Sequence, residues 1–221
     1  LHQQHLQVKD VFPVSLNKIF EQEEELIVLE DDTIPSPSFF TFCNAMLHKH
    51  KNDKQIGCIS GCNLEAVAEQ NAYFLSGLCV PFWGWATWKE SWSLYKEGSA
   101  YWETNQNDII DGIAVHKDFF ANSFNNFKRL QHTWDIPWNL SLMANRKKCI
   151  IPGINLITNK GFVPEGTFTD YEHSQFNNLK RHNFTTSEYE LKTDAYFQNS
   201  YENLILALFK EISPSRKKNK A

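Results

Sequence analysis

A chain of 221 residues that is 42% hydrophobic and 14% aromatic can bury a core of ordinary size, which excludes a disordered or fibrous protein and points to one domain. The formal net charge of −4 argues against nonspecific nucleic-acid binding, and no helix-in-groove motif, zinc-finger spacing or RNA-binding aromatic signature occurs, so nucleic acid is not an expected partner. Five cysteines (Cys43, Cys58, Cys62, Cys79 and Cys149) form an odd set without a Cys-x-x-Cys pair, which predicts reduced, mostly buried thiols in a cytoplasmic protein rather than a zinc site. No apolar run approaches the roughly 20 residues that cross a bilayer. The opening Leu1-His2-Gln3-Gln4-His5 is neither a signal peptide nor an initiating methionine, which predicts a chain clipped at its front.

In chain order, Val14 to Phe20 has the apolar spacing of a helix and is followed, after an acidic link, by the run Leu26 to Leu29. Four consecutive apolar residues suit a strand covered on both faces, as in a parallel sheet. The strand delivers Glu30, Asp31 and Asp32 at its carboxyl end, and Pro35 and Pro37 are expected to stop any regular element there. Ser38 to His50 then reads as a helix entered through Ser36-Pro37-Ser38, with capping hydroxyls, a helix-starting proline and an apolar stripe of Phe39, Phe40, Phe42, Cys43, Met46 and Leu47. Ile56 to Ser60 reads as a second strand, and Tyr73 to Trp92 as an aromatic-dense segment in which Trp85 and Trp88 would share a helix face. Asp118 to Leu130 and Trp134 to Asn145 read as amphipathic helices, the second with Asp135 and Pro137 in its first turn. Cys149 to Ile151 and Asn155 to Thr158 are short strand-like pieces, Asn159 to Thr169 is a loop, and Ala195 to Ile212 is an amphipathic helix.

Three stretches carry chemistry. Glu30-Asp31-Asp32 follows a strand, where open α/β sheets bind ligands, and hard divalent cations that carry phosphates prefer carboxylate oxygens. Trp83-Gly84-Trp85-Ala86-Thr87-Trp88 offers indole faces and a glycine that permits a tight turn or close approach of backbone to ligand, although aromatic clusters usually belong to cores. Trp134-Asp135-Ile136-Pro137-Trp138 puts a carboxylate just inside a helix start, where the dipole and free amides are expected to lower its pKa and keep it ionised. An acidic loop and an Asp that merely favours a first helical turn are the plain alternatives.

Taken in this order, with Pro152-Gly153-Ile154-Asn155 through Lys160-Gly161-Phe162 behind them, these stretches resemble bacterial glycosyltransferases of the GT-A fold, those often filed with family 2. The likeness to the eukaryotic N-acetylglucosaminyltransferase I group is more distant. It spans roughly residues 10 to 170. The resemblance implies an α/β, Rossmann-like domain whose mixed, mostly parallel sheet is flanked by helices and is N-terminally incomplete. It implies a GT-A catalytic domain over 1–190 lacking its first strands, a C-terminal helix over 191–213 packed on it, and a basic tail over 214–221.

Residue by residue, the resemblance makes Asp32 the metal ligand for Mn²⁺ or Mg²⁺ and Asp135 the catalytic base. Glu30 and Asp31 would bind donor sugar or ribose hydroxyls, Trp83 and Gly84 would shape the cleft, and Lys160-Gly161 would open a lid that excludes water. The implied donor is a nucleotide-diphosphate sugar, UDP-linked by expectation, and the implied acceptor a hydroxyl of a glycan or lipid-linked glycan in surface polysaccharide synthesis. Relatives often show an Asp-Ala-Thr-His-Thr ending where this chain has Glu165-Gly166-Thr167-Phe168-Thr169, so the loop histidine is absent; His173 is a substitute candidate against the plainer reading of a surface residue. GT-A enzymes bind the nucleotide base with a first strand upstream of the acidic motif, and that strand is missing from the pattern, which would expose a sheet edge. Arg216-Lys217-Lys218 offers a peripheral contact to anionic lipid at the inner face of a membrane, beside the reading of a solvated tail. Two alternatives stand beside the transferase: a non-catalytic carbohydrate-binding or assembly protein on the same scaffold, and a glycoside hydrolase using Asp32 and Asp135 as its carboxylate pair.

Overall fold

A computed structural model describes residues 8–64, 69–78, 83–97, 99–112, 133–162, 176–177 and 179–212. The expected helix from Asp118 to Leu130, the loop beyond Phe162, Cys79, His173 and the basic tail lie outside these residues. The chain enters through α1 (Val8–Ile19), β1 (Glu25–Leu29), β2 (Thr33–Pro35) and α2 (Pro37–His50), then β3 (Ile56–Ser60), β4 (Ala72–Ser76), β5 (Gly84–Trp88), the short α3 (Lys89–Trp92) and α4 (Ser99–Gly112). The second half adds α5 (Asp135–Ala144), β6 (Lys148–Pro152), β7 (Ile157–Asn159), β8 (Glu190–Leu191) and α6 (Ala195–Ile212).

The fold is α/β, with a six-stranded mixed sheet in the order β1-β5-β3-β6-β4-β8 and a separate ribbon of β2 and β7. The sheet is not mostly parallel. β3 with β6 and β4 with β8 run parallel, whereas β1 with β5, β3 with β5, and β4 with β6 run antiparallel. β3 occupies the middle of the sheet and every one of its residues is buried, as a short apolar run between two covering layers requires. α2 lies against β1, β3 and β5, and α6 against β4.

Two sequence expectations about the first strand are corrected. β1 is the edge of the sheet, and its residues are exposed or only partly buried rather than covered on both faces. Pro35 does not stop regular structure: it closes β2, which pairs with β7 from Thr33 opposite Asn159 to Pro35 opposite Ile157. A two-stranded ribbon has an open side on which a residue without an N–H is tolerated. The capping expectation for α2 is also corrected, because Ser36 occupies the N-cap without a side-chain hydrogen bond, and the Ser38 hydroxyl instead accepts from the Phe184 amide at 3.0 Å. Pro37 does hold the first helical turn.

The aromatic segment forms a strand, so Trp85 and Trp88 do not share a helix face; three residues apart in β5 they point to opposite sides. Trp85 is fully buried, stacks on Trp134 at 5.6 Å between centroids, and contacts Trp138 and Trp92. Trp92 stacks in turn on Tyr95, and Phe12 of α1 stacks on Trp134 at 3.9 Å. This cluster ties α1, β5, α3 and the start of α5 into one body. Truncating a Trp so placed costs about 3–5 kcal/mol, so core packing accounts for Trp85, Trp92 and Trp138 without a sugar. Cys43, Cys58, Cys62 and Cys149 are buried. Among the described residues no helix is long and apolar enough to cross a membrane.

Candidate active site

The register of β1 against β5 positions the acidic motif. Leu29 lies opposite Gly84, so the chain emerging from β1 as Glu30 runs past Trp83. Gly84 also accepts, through its carbonyl, the Gly61 amide at the end of β3 at 2.8 Å. Three strand ends therefore converge on Glu30. The turn after it is local: the Thr33 hydroxyl donates to the Glu30 carbonyl at 2.7 Å, which bends Asp31 and Asp32 into the start of β2.

The β2–β7 ribbon then brings a third segment in. Thr33 pairs with Asn159, and the Lys160 amide donates to the Asp32 carbonyl at 2.8 Å. Gly161 lies directly against the Asp32 carboxylate: a Cβ added there would sit 2.1 Å from Asp32 Oδ2 and 3.0 Å from Asn159 Oδ1. The Gly161 amide donates to Asn159 Oδ1 at 2.5 Å. Only a glycine leaves Asp32 its position.

The fourth contribution is Asp135, the first residue of α5. Glu30 is driven from the ordinary 4.5 to about 8, first by burial and then by the carboxylates of Asp135, Asp32 and Asp31. The strand end and the helix start, far apart in sequence, thus share one low-dielectric pocket. Burial and the neighbouring Asp31 also raise Asp32, and its Oδ1 is buried with no hydrogen-bond partner. Asp135 is corrected relative to the sequence expectation. Its pKa is raised, because burial outweighs the amides of Ile136 and of Asp135 itself, which pull it down.

Two further groups belong to this pocket and carried no signal in the sequence. Cys62, fully buried after β3, has its thiol pushed up by burial and by the Glu30 charge. The Tyr95 phenol is pushed up by burial, Glu97, Asp135 and Asp10. Only the spacing of Tyr95 after the tryptophan run could have drawn attention to it.

Of the sequence candidates, Glu30, Asp31, Asp32, Trp83, Gly84, Lys160, Gly161 and Asp135 fall in one neighbourhood, with Asp31 at its exposed rim. Two of them have structural explanations. Gly84 is required by packing, since a Cβ there would meet Ile157 Cδ1, a side chain of β7, at 2.7 Å. Trp83 is 8% exposed and packs edge-on against Phe162 at 5.6 Å. Its φ of 65° is a left-handed conformation uncommon for a bulky residue, and such strain tends to collect at functional sites.

Carboxylate oxygens, one of them orphaned and buried, suit a hard divalent cation, which would relieve the repulsion among these acids. Among the described residues no three His, Cys, Asp or Glu side chains converge on a ready-made metal cage. A cation held there by Asp32 alone would need phosphate oxygens and water to complete its shell. No protein-family model matches this chain, and no curated protein matches it either.

Proposed function

We propose that this chain is the catalytic part of a metal-dependent, inverting glycosyltransferase. It moves a sugar from a nucleotide-diphosphate donor, UDP-linked, to a hydroxyl of a glycan or lipid-linked glycan. The observation that supports this reading is the meeting of Glu30 and Asp135 in one buried acidic pocket beside Asp32.

The chemistry asks for different work from the carboxylates. Asp135, raised by burial, has increased proton affinity and accepts the acceptor hydroxyl's proton as that oxygen bonds to C1 of the sugar. The bond from C1 to the diphosphate oxygen breaks on the opposite side, so the anomeric centre inverts. Glu30, protonated near neutral pH, donates a hydrogen bond to a sugar or ribose oxygen, and Asp31 at the rim accepts from a hydroxyl. Asp32 would hold Mn²⁺ or Mg²⁺, which when bound supplies Lewis-acid stabilisation of the departing diphosphate. Gly161 and Lys160 fix the Asp32 position through the contacts already described.

A second reading, a glycoside hydrolase, is favoured by one observation: a protonated Glu30 next to Asp135 resembles the acid and base pair of glycoside hydrolysis. Calorimetric titration of UDP into the protein, with and without Mn²⁺, separates the readings. The transferase requires Mn²⁺-dependent binding that Asp32→Ala abolishes. Metal-free cleavage of a glycan would favour the hydrolase, and absence of UDP binding in both conditions would leave a non-catalytic carbohydrate-binding protein as the better account.

A further inference from the structure

Away from the acids, an open groove of about 460 Å³ runs along the β2–β7 ribbon. Ser36 marks one end, just beyond the Pro35–Ile157 pair, and Lys160 the other, where its amide holds Asp32. Lys180, Arg181, His182 and Asn183 form the remaining wall. Among the described residues, neither Lys180 nor Arg181 has a carboxylate within ion-pair distance.

The wall is built rather than draped. Thr158 Oγ1 donates to the Leu179 carbonyl at 2.8 Å and Asn155 Nδ2 to the Lys180 carbonyl at 3.0 Å. The His182 amide donates to the Asn155 carbonyl at 2.8 Å, and the Phe184 amide to Ser38 Oγ at 3.0 Å, with the Phe184 ring buried against Phe42 and Tyr189. Backbone on both sides of Lys180 and Arg181 is therefore fixed, so an anion binding there orders little but the side-chain tips.

The opposite wall is the start of α2, a 14-residue helix whose positive dipole end faces the groove. Its first amide is already used, since the Ser38 N–H donates to Asn183 Oδ1 at 3.3 Å. Ser36 supplies the unmet donor. It is 1% exposed, lines the groove, and its hydroxyl caps nothing and has no hydrogen-bond partner. A buried hydroxyl without a partner is costly, and a bound acceptor atom would relieve that cost.

We propose that this groove is an oxyanion-binding subsite, with Lys180 and Arg181 as its charged ligands and the Ser36 hydroxyl as its buried donor. The ligand class is a phosphoryl-type group, either the diphosphate of the sugar donor or an anionic group on the acceptor; this choice of sources rests on the transferase reading, whereas the subsite itself does not.

The test is titration of inorganic pyrophosphate at low salt with EDTA present, followed by calorimetry, on the full chain and on Lys180→Ala/Arg181→Ala, Ser36→Ala and Asp32→Ala. Removing two exposed cations and one uncapping hydroxyl leaves the fold intact, checked by an unchanged thermal midpoint. One-to-one binding that weakens at least tenfold in the double variant and severalfold in Ser36→Ala, yet survives Asp32→Ala, is the expected result. Absence of pyrophosphate binding by the unaltered protein, or equal affinity in the double variant, would overturn the subsite whatever the transferase assays show. Competition then assigns the source: displacement of pyrophosphate by UDP supports the donor diphosphate, and simultaneous binding of UDP with Mn²⁺ supports an anionic acceptor.

Discussion

The end and the face of the β2–β7 ribbon carry opposite charge under opposite conditions. At the end, Asp32, Glu30 and Asp135 are drawn out of water with their proton affinities raised. Along the face, Lys180, Arg181 and His182 stand in solvent on a pinned backbone. Desolvated like charges oppose folding until a proton or a cation relieves them, while exposed cations cost almost nothing to hold. The acid end is thus where the fold gives up stability, and the basic face is where it holds charge without that sacrifice.

The largest expected effect breaks the acid end directly. Asp135→Asn keeps the helix start and its stacking partners but removes the proton acceptor, so sugar transfer should fall about 10²–10⁴-fold with the thermal midpoint held. Steady-state rates with a UDP-sugar check this. A fall no larger than that of Lys180→Ala/Arg181→Ala would erase the distinction between the two regions.

Next comes stability. In the unfolded chain Glu30 ionises from about its ordinary 4.5, while in the folded chain it stays protonated up to about 8. The stability linked to its proton is complete below the lower value and is lost as pH rises to the higher one, on the order of 3–5 kcal/mol in total. Glu30→Gln should flatten that decline, so that denaturant midpoints of the variant exceed those of the parent at pH 8 and converge with them at pH 4. A decline that persists in the variant would assign the pH dependence elsewhere.

Gly161→Ala should have a smaller effect, confined to the acid end. Its methyl would strike Asp32 Oδ2, so the carboxylate must swing away, and Mn²⁺-dependent UDP affinity is expected to fall about tenfold, or 1.4 kcal/mol. Metal-free pyrophosphate binding in the groove should not change. The smallest effect belongs to the basic face: Lys180→Ala/Arg181→Ala should alter folding stability by no more than about 0.5 kcal/mol, as read by denaturant melts.

Much of the acid end was legible because its parts are local. A short apolar run followed by three acids, and a Trp-Asp dipeptide before an apolar helix, are visible in the sequence without knowing what lies between them. Their meeting was not legible from periodicity, since it depends on the antiparallel register of β1 with β5 and on tryptophan stacking that seats α5. Long-range pairing also hid β2, where two prolines argued against a strand that β7 nonetheless pairs. α4 went unread because Ser99–Gly112 carries few apolar residues, and β8 because two residues show no period. The fate of Asp135 turned on magnitude: the helix-start amides act as expected, but burial exceeds them. The basic groove escaped notice because Ser36, Lys160 and Lys180-Arg181-His182 become neighbours only when the ribbon and the 179–184 segment close over α2.

The site stands or falls on Glu30 and Asp135 sharing one desolvated pocket. Carbon-13 NMR of the side-chain carboxyls through a pH titration tests it most directly, with assignment by Glu30→Gln. A shared pocket predicts a Glu30 midpoint near 8 that drops clearly in Asp135→Asn. A midpoint near the ordinary 4.5, or one that Asp135→Asn leaves where it is, would contradict it.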